Sequence, residues 1–90
     1  IAGDGHLRSQ LEAEAKSLLI EDIVTFLGNR EDAEIFHAGL DIEALTSFNE
    51  GSPFVLIEAM ANARPVIATA VGGVVDLLGK AKTEIDGFAV

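Results

Sequence analysis

Short apolar runs rich in β-branched residues alternate with segments of helical spacing along the whole chain, and this alternation restricts the fold more than any other feature. The runs have the length and composition of buried strands. Strands that alternate with helices form a parallel sheet with right-handed crossovers. We therefore predict an α/β fold with a Rossmann-like, doubly wound parallel sheet. The pattern predicts strands at 1–2, 23–27, 41–46, 66–69 and 87–90 and helices at 6–19, 31–38, 53–62 and 74–78.

The length and charge of the chain restrict what it can bind. Its 90 residues allow one domain at most, and the apolar ends Ile1 and Val90 predict a partial domain, 1–90, that is truncated on both sides. Fifteen acidic residues against six basic ones give a net charge of -9, which argues against nucleic acid or an anionic membrane as a partner. The absence of cysteine excludes disulfides and cysteine-based zinc sites, and it fits a reducing cytoplasm.

One stretch of the sequence, EGSPFVLIE, carries two acids around an apolar run. In open α/β sheets, ligands bind beyond the carboxyl ends of the strands. The predicted order puts this stretch at that edge of the sheet, together with the turns at Asp4, Gly28 and Gly72-Gly73. Groups in this stretch that can hold a ligand are therefore candidates for a binding site.

The predicted helix start inside this stretch is the first candidate. Ser52 is a good N-cap and Pro53 a good first helical residue. The unpaired amides of a helix start, with the helix dipole, hold a phosphate without any lysine, and Gly51 lets the backbone approach a ligand closely. An ordinary capped helix start is the commoner interpretation of the same residues.

Three further features leave alternatives open. Glu58 lies in an apolar helix, where it points either into a pocket that holds a sugar or ribose diol or to solvent on the outer face of the helix. Gly72-Gly73 forms either a second anion-holding turn or, more commonly, a tight connection. His6 and His37 have no ligand spacing near them and are predicted to be surface or cap residues.

Four segments follow one another along nearly all of the chain: IAGDGHLRSQLE, IVTFLGNREDAEIFHAGLDI, TSFNEGSPFVLIEAMANARPVIATAVGG and DGFAV. In order and spacing they resemble the retaining glycosyltransferases of family 4. The similarity implies the C-terminal, nucleotide-sugar-binding domain of that GT-B family.

The resemblance implies a role for each part of the site. Glu50, which we predict to be the catalytic residue, matches a residue that binds hydroxyls of the donor sugar, and Glu58 matches the acid that binds the ribose hydroxyls. A turn at the base of the cleft is matched by Gly3, Asp4 and Gly5. The wall beside the nucleobase is matched by Phe26, Leu27, Gly28 and Arg30. The diphosphate-binding segment is matched by Gly51, Ser52, Pro53, Phe54, Val55 and Leu56.

The resemblance also implies partners and chemistry. The donor is a UDP- or GDP-sugar, the sugar is transferred with retention, and neither a metal nor a cofactor is required. The acceptor binds through an N-terminal domain that is missing here, as is the upstream Arg/Lys pair. The parent protein is expected in the cytoplasm, in polysaccharide biosynthesis and with peripheral membrane association. Three positions depart from the family pattern: Ala63 replaces a usual Gly, Ala70 a frequent Asp and His6 a frequent Pro.

These departures keep a second class of function open. A non-catalytic module, either a degenerate nucleotide-binding domain or a scaffold, would also show such departures from the family pattern. A related enzyme such as a sugar-nucleotide epimerase is a third hypothesis, which the EGSPFVLIEA pattern favours less. We expect the isolated chain itself to be inactive as a transferase.

Overall fold

The computed structural model describes residues 1–79 and 87–89, with side chains up to residue 79. The chain divides into two compact units, Ile1–Glu31 and Asp32–Val90. No helix within the described residues is long and apolar enough to cross a bilayer.

The first unit consists of one helix and a short backbone pairing. Helix α1 spans Arg8–Ser17, which is shorter than the predicted 6–19. Gly28 forms bridges with Ala2 and Gly3, and the Gly3 amide donates to the Gly28 carbonyl over 2.7 Å. The end of the predicted segment 23–27 therefore does pair with the start of the chain, as strands would.

The strand predicted at 23–27 is nevertheless wrong as a regular element. The amides of Ile23 and Val24 both donate to the carbonyl of Ile20, over 3.0 and 3.1 Å. These bonds turn the chain, so the first half of the segment is not extended. The β-branched residues that suggested a strand are in part exposed: Ile23 is 81% exposed.

The second unit is built on a parallel sheet, which confirms the predicted α/β class. Strands β1 (Glu43–Leu45), β2 (Val66–Ala68) and β3 (Gly87–Ala89) lie in the order β1-β2-β3, and both pairings are parallel. Helices α2 (Ala33–Ala38), α3 (Phe54–Ala61) and α4 (Gly73–Leu78) connect or precede the strands. Each element begins and ends within a few residues of its prediction. The buried core joins α3, β2 and α4 through Leu56, Ala59, Val66, Ala68, Val74 and Leu78.

The loops that follow β1 and β2 meet at one edge of the sheet. The hydroxyl of Thr69 donates to the carbonyl of Ser47, and the amide of Gly73 donates to the carbonyl of Glu50 over 3.3 Å. Parallel neighbouring strands end on the same side, so their following loops are brought together. The predicted placement of 47–52 and Gly72-Gly73 on one edge is confirmed within this unit.

Gly72 and Gly73 are required by the close approach of these two loops. A Cβ atom on Gly72 would lie 1.9 Å from the carbonyl oxygen of Glu50, and one on Gly73 would lie 2.0 Å from that of Gly51. Gly72 also has φ +48°, a conformation that other residues rarely adopt. The glycine pair is therefore explained by tight packing of the connection, the commoner of the two interpretations.

Ala63, which follows α3, has φ +54° and so occupies the left-handed region. This conformation costs an L-residue about 1–2 kcal/mol. We expect Ala63→Gly to raise the free energy of unfolding by about 0.5–1 kcal/mol, after the entropy cost of glycine in the unfolded chain is subtracted. The urea midpoint of the two proteins measures this. Ala13→Gly, which removes the same methyl group inside α1, should instead lower stability by about 1 kcal/mol; a loss at both positions would contradict the prediction.

Candidate functional site

The start of α3 is open to solvent on its outer side. The helix begins at Phe54, whose side chain is 69% exposed, and Gly51 and Ser52 before it are exposed as well. Only Pro53 is buried. The loop side of the first helical turn is therefore reachable by a ligand, although the amides of Phe54 and Leu56 already donate to the carbonyls of Ser52 and Pro53, over 2.9 and 3.0 Å.

The predicted cap of this helix is wrong in its details. The N-cap residue is Pro53, with ψ 71°, and no side chain caps the helix. Ser52 acts through its backbone instead, since its carbonyl accepts the amide of Phe54 over 2.9 Å. Pro53 has no amide hydrogen and is held in a buried position, which shifts the helix start by one residue. The hydroxyl of Ser52 is not used as a cap.

Glu50 lies in the loop after β1 and is half-buried. One oxygen of its carboxylate, Oε1, accepts a hydrogen bond from the hydroxyl of Ser47, while its main-chain carbonyl accepts the amide of Gly73. Both ends of the residue are therefore fixed. The carboxylate is positioned just before the helix start, on the same edge of the sheet.

Glu58 lies on the wall of a cavity of about 240 Å³ beside helices α2 and α3. Its side chain is 53% exposed, and its Oε2 lies 3.4 Å from Nε2 of His37. The two predicted alternatives are thus both partly realised, because the residue is accessible to solvent and also faces a cavity. The lining residues are Ala33, Glu34, His37, Glu58, Ala61 and Asn62.

His37 was predicted to be a surface or cap residue, and this is wrong. It is 2% exposed, and its two ring nitrogens face carboxylates from two other elements. Nδ1 lies 3.3 Å from Oε2 of Glu43 on β1, and Nε2 faces Glu58 on α3. The first contact is within ion-pair distance but is not aligned as a hydrogen bond. His6, in contrast, is exposed as predicted.

The sequence held only a weak signal for this cluster. Glu43 interrupts the apolar strand β1 with a charge, and a strand that lies in a core rarely carries an unpaired carboxylate. That residue could have been marked as needing a partner. Nothing in the local sequence indicates that the partner is His37, because the pairing depends on how α2 packs against the sheet.

Burial raises the pKa of the Glu43 carboxyl above its ordinary 4.5, and the attraction of His37 partly opposes the rise. The folded chain therefore holds this proton more tightly than the unfolded chain does. The stability that Glu43 contributes is complete below about pH 4.5 and is lost as pH rises through the higher folded-state pKa.

The pH dependence of stability tests this direction. Glu43→Gln removes the ionisation, so we expect the fall in unfolding free energy with rising pH to become shallower above about pH 4.5. Urea denaturation at several pH values between about 4 and 7 measures the slope. Equal slopes in the two proteins would show that Glu43 does not titrate in this way.

The predicted nucleobase residues lie in the first unit. Gly28 is buried with φ +68°, Phe26 is half-buried and Arg30 is exposed. Phe26 lines a second cavity of about 240 Å³ with the turn Gly3, Asp4 and Gly5. The role of these residues beside a nucleobase stays a prediction.

Arg8 is a charged residue of the first unit that the sequence analysis passed over. Its guanidinium lies 2.9 Å from Glu12 and 3.5 Å from Asp4, and it donates to the Phe26 carbonyl over 3.3 Å. The sequence did indicate these ion pairs, since one acidic residue stands four positions before the arginine and another four positions after it. Across 1–79 and 87–89, no group of three or more His, Asp or Glu residues is arranged to hold a metal ion.

Comparison with known proteins identifies the class of the chain. Residues 1–90 match the family described as "Glycosyl transferases group 1", and the chain belongs to that family. It is 40% identical over 68 residues to an uncharacterized glycosyltransferase of Haemophilus influenzae, a match that covers 76% of this chain and 19% of the relative.

Two further relatives carry more specific names. An alpha-1,4-N-acetyl-D-galactosaminyltransferase of Campylobacter jejuni is 47% identical over 60 residues, covering 67% of this chain and 16% of the relative. The Vi polysaccharide biosynthesis protein VipC/TviE of Salmonella typhi is 37% identical over 73 residues, a match that covers 81% of this chain and 13% of the relative. The chain therefore spans less than a fifth of the length of each of these relatives. The predicted resemblance to glycosyltransferases is confirmed at the level of the group 1 family.

Proposed function

We propose that this chain is the donor-binding part of a retaining glycosyltransferase of family 4 with the GT-B fold. The parent enzyme would transfer a sugar from a nucleoside-diphosphate sugar to an acceptor, in polysaccharide biosynthesis. The observation that carries the proposal is the open start of α3 at the carboxyl edge of a parallel sheet, with Glu50 before it and Glu58 in its second turn. Membership of the group 1 family supports it.

The diphosphate would bind at the start of α3. The helix dipole puts roughly half a positive charge there, and the amides of Phe54 and Leu56 would exchange their bonds to the carbonyls of Ser52 and Pro53 for bonds to phosphate oxygens. This site suits a chain of net charge -9, because the anion is held by local backbone groups rather than by the overall field. As the bond to the sugar breaks, the same dipole stabilises the charge that develops on the leaving phosphate. We propose no metal or cofactor for this step.

The two carboxylates would bind hydroxyl groups on either side of the diphosphate. Glu58 lies about 6 Å along the helix axis from Phe54, at 1.5 Å of rise per residue. A carboxylate accepts several hydrogen bonds, and a ribose diol offers two donors. Glu50 is held by Ser47 just before the helix, where sugar hydroxyls would lie. On the resemblance alone, we also propose a cytoplasmic location and peripheral membrane association for the parent protein.

Titration of the ¹⁵N-labelled chain with a UDP-sugar and a GDP-sugar tests the proposal. We expect amide shift changes concentrated between residues 50 and 58, with the largest changes at the start of α3. An absence of shifts with both ligands would favour the non-catalytic scaffold instead. We expect no sugar transfer by the 90-residue chain itself, since it covers less than a fifth of each of the three relatives named above. Robust turnover would contradict that part.

A further inference from the structure

His37 stands out among the described residues as a buried ionisable ring that the proposed function does not use. Three elements converge on it: its own helix α2, strand β1 with Glu43 and helix α3 with Glu58. Glu34, also on α2, is exposed and lines the same cavity. Burying an imidazole costs free energy unless its nitrogens have partners, so the two carboxylates explain why the ring can be buried.

The proton count of this cluster fixes which ring nitrogen carries hydrogen. A neutral imidazole has one N–H, and its other nitrogen bears a lone pair that repels a carboxylate. Both contacts are attractive only if the cluster holds one additional proton. That proton lies either on the ring, giving two N–H groups, or on the Glu43 carboxyl 3.3 Å from Nδ1. Burial, which raises the pKa of Glu43, is compatible with the second arrangement. In both arrangements Nε2–H points at Glu58.

We infer that His37 is a positioning residue for the donor site: its Nε2–H holds Oε2 of Glu58, and Glu43 on the opposite side fixes the ring. This inference rests on the proposed function and adds the residue that orients the carboxylate for the ribose diol. Each carboxylate oxygen accepts more than one hydrogen bond, so the contact with His37 leaves capacity for both hydroxyls.

Positioning is needed because Glu58 is otherwise a flexible side chain on a helix surface. Its side chain is 53% exposed and has several rotatable bonds. A ligand that must order such a side chain binds more weakly than one that meets it already oriented. The side chain of His37 is 3% exposed and lies between Glu43 and Glu58, so its packing supplies a rigid reference for the carboxylate. The benefit applies only to ligands that carry the diol.

The test compares two substitutions of His37 with ligands that contain or lack the 2′-hydroxyl. His37→Leu removes both nitrogens, whereas His37→Gln keeps a donor that can reach Glu58. With UDP and GDP as probes, we expect His37→Leu to weaken binding about tenfold and to reduce the preference over 2′-deoxy-UDP and 2′-deoxy-GDP. His37→Gln should restore much of the affinity and much of the preference for the ligand with the 2′-hydroxyl. An unchanged preference in a folded His37→Leu chain would overturn the inference.

A spectroscopic measurement keeps the inference testable if His37→Leu does not fold. In the unsubstituted chain, the ¹⁵N signals of the His37 ring should show a protonated Nε2, and Glu58→Gln should shift that signal. The exposed His6 provides an internal reference that should not move. An unprotonated Nε2, or a signal indifferent to Glu58→Gln, would overturn the positioning role. If the unsubstituted chain bound neither UDP nor GDP, the donor site would fail and the role of His37 in it would fail too, whereas the ring signals would still report the contact.

Discussion

Replacing Glu58 with alanine is expected to weaken binding of a nucleoside-diphosphate sugar by at least about a hundredfold. The carboxylate would accept two hydrogen bonds from the ribose diol, and a hydrogen bond to a charged group contributes about 1.5–3 kcal/mol. Two such bonds correspond to about two or more factors of ten in affinity. Calorimetric titration of the two proteins with the same UDP- or GDP-sugar measures the loss.

A matched substitution separates the site from the general effect of charge. Glu14→Ala removes a carboxylate from an exposed position on α1, and we expect it to leave the affinity within about twofold, since exposed charges are screened. Glu58 is itself more than half exposed, so its removal costs the fold only the contact with His37, and circular dichroism should show the chain still folded. Binding that survives Glu58→Ala would remove the assignment of this residue, and equal losses in both variants would point to net charge instead.

Gly72→Ala is expected to destabilise the chain by about 3 kcal/mol or more. The added methyl carbon would lie 1.9 Å from the carbonyl oxygen of Glu50, well inside any allowed contact. The residue also has φ +48°, which adds backbone strain for any residue other than glycine. Clash and strain at one position fall among the few mechanisms that give large effects in point mutants. Urea denaturation followed by circular dichroism measures the change.

Gly51→Ala is the control for this substitution, because it lies in the facing loop but meets a different environment. A Cβ on Gly51 would have no heavy atom within 4 Å, and the residue does not have a left-handed φ. We expect its effect on stability to stay within about 0.5 kcal/mol. If Gly72→Ala were as stable as Gly51→Ala, the close packing of the two loops would not exist in solution.

Much of the second unit follows from local sequence. The short β-branched run around Val66 and the apolar run of α3 have the lengths and periods of a parallel strand and a crossover helix, and both were predicted within a few residues. Because neighbouring parallel strands end on the same side of the sheet, Glu50 and the glycine pair were also predicted to lie on one edge. The cost at Ala63 was also predictable, since its position after a helix is one where φ is often positive.

Other features depend on packing that the local sequence does not encode. The segment 23–27 has strand composition, but two amides bond to Ile20 and turn its first half. Ser52 has the right side chain for a cap, yet the buried Pro53 takes the cap position. His37 looked like a surface residue because its partners, Glu43 and Glu58, lie on two other elements of the fold. In each case tertiary contacts outweighed the local preference.

The bond from the Gly73 amide to the Glu50 carbonyl has a consequence for how this region can vary. A replacement that enlarges one of the two turns must push the loop that carries Glu50 away from the turn that contains Gly73. The two segments therefore have to change together. Redesign of this edge of the sheet would therefore need paired libraries that sample both turns in the same molecule. Single-loop swaps from related enzymes should misfold more often than exchanges that carry both segments across.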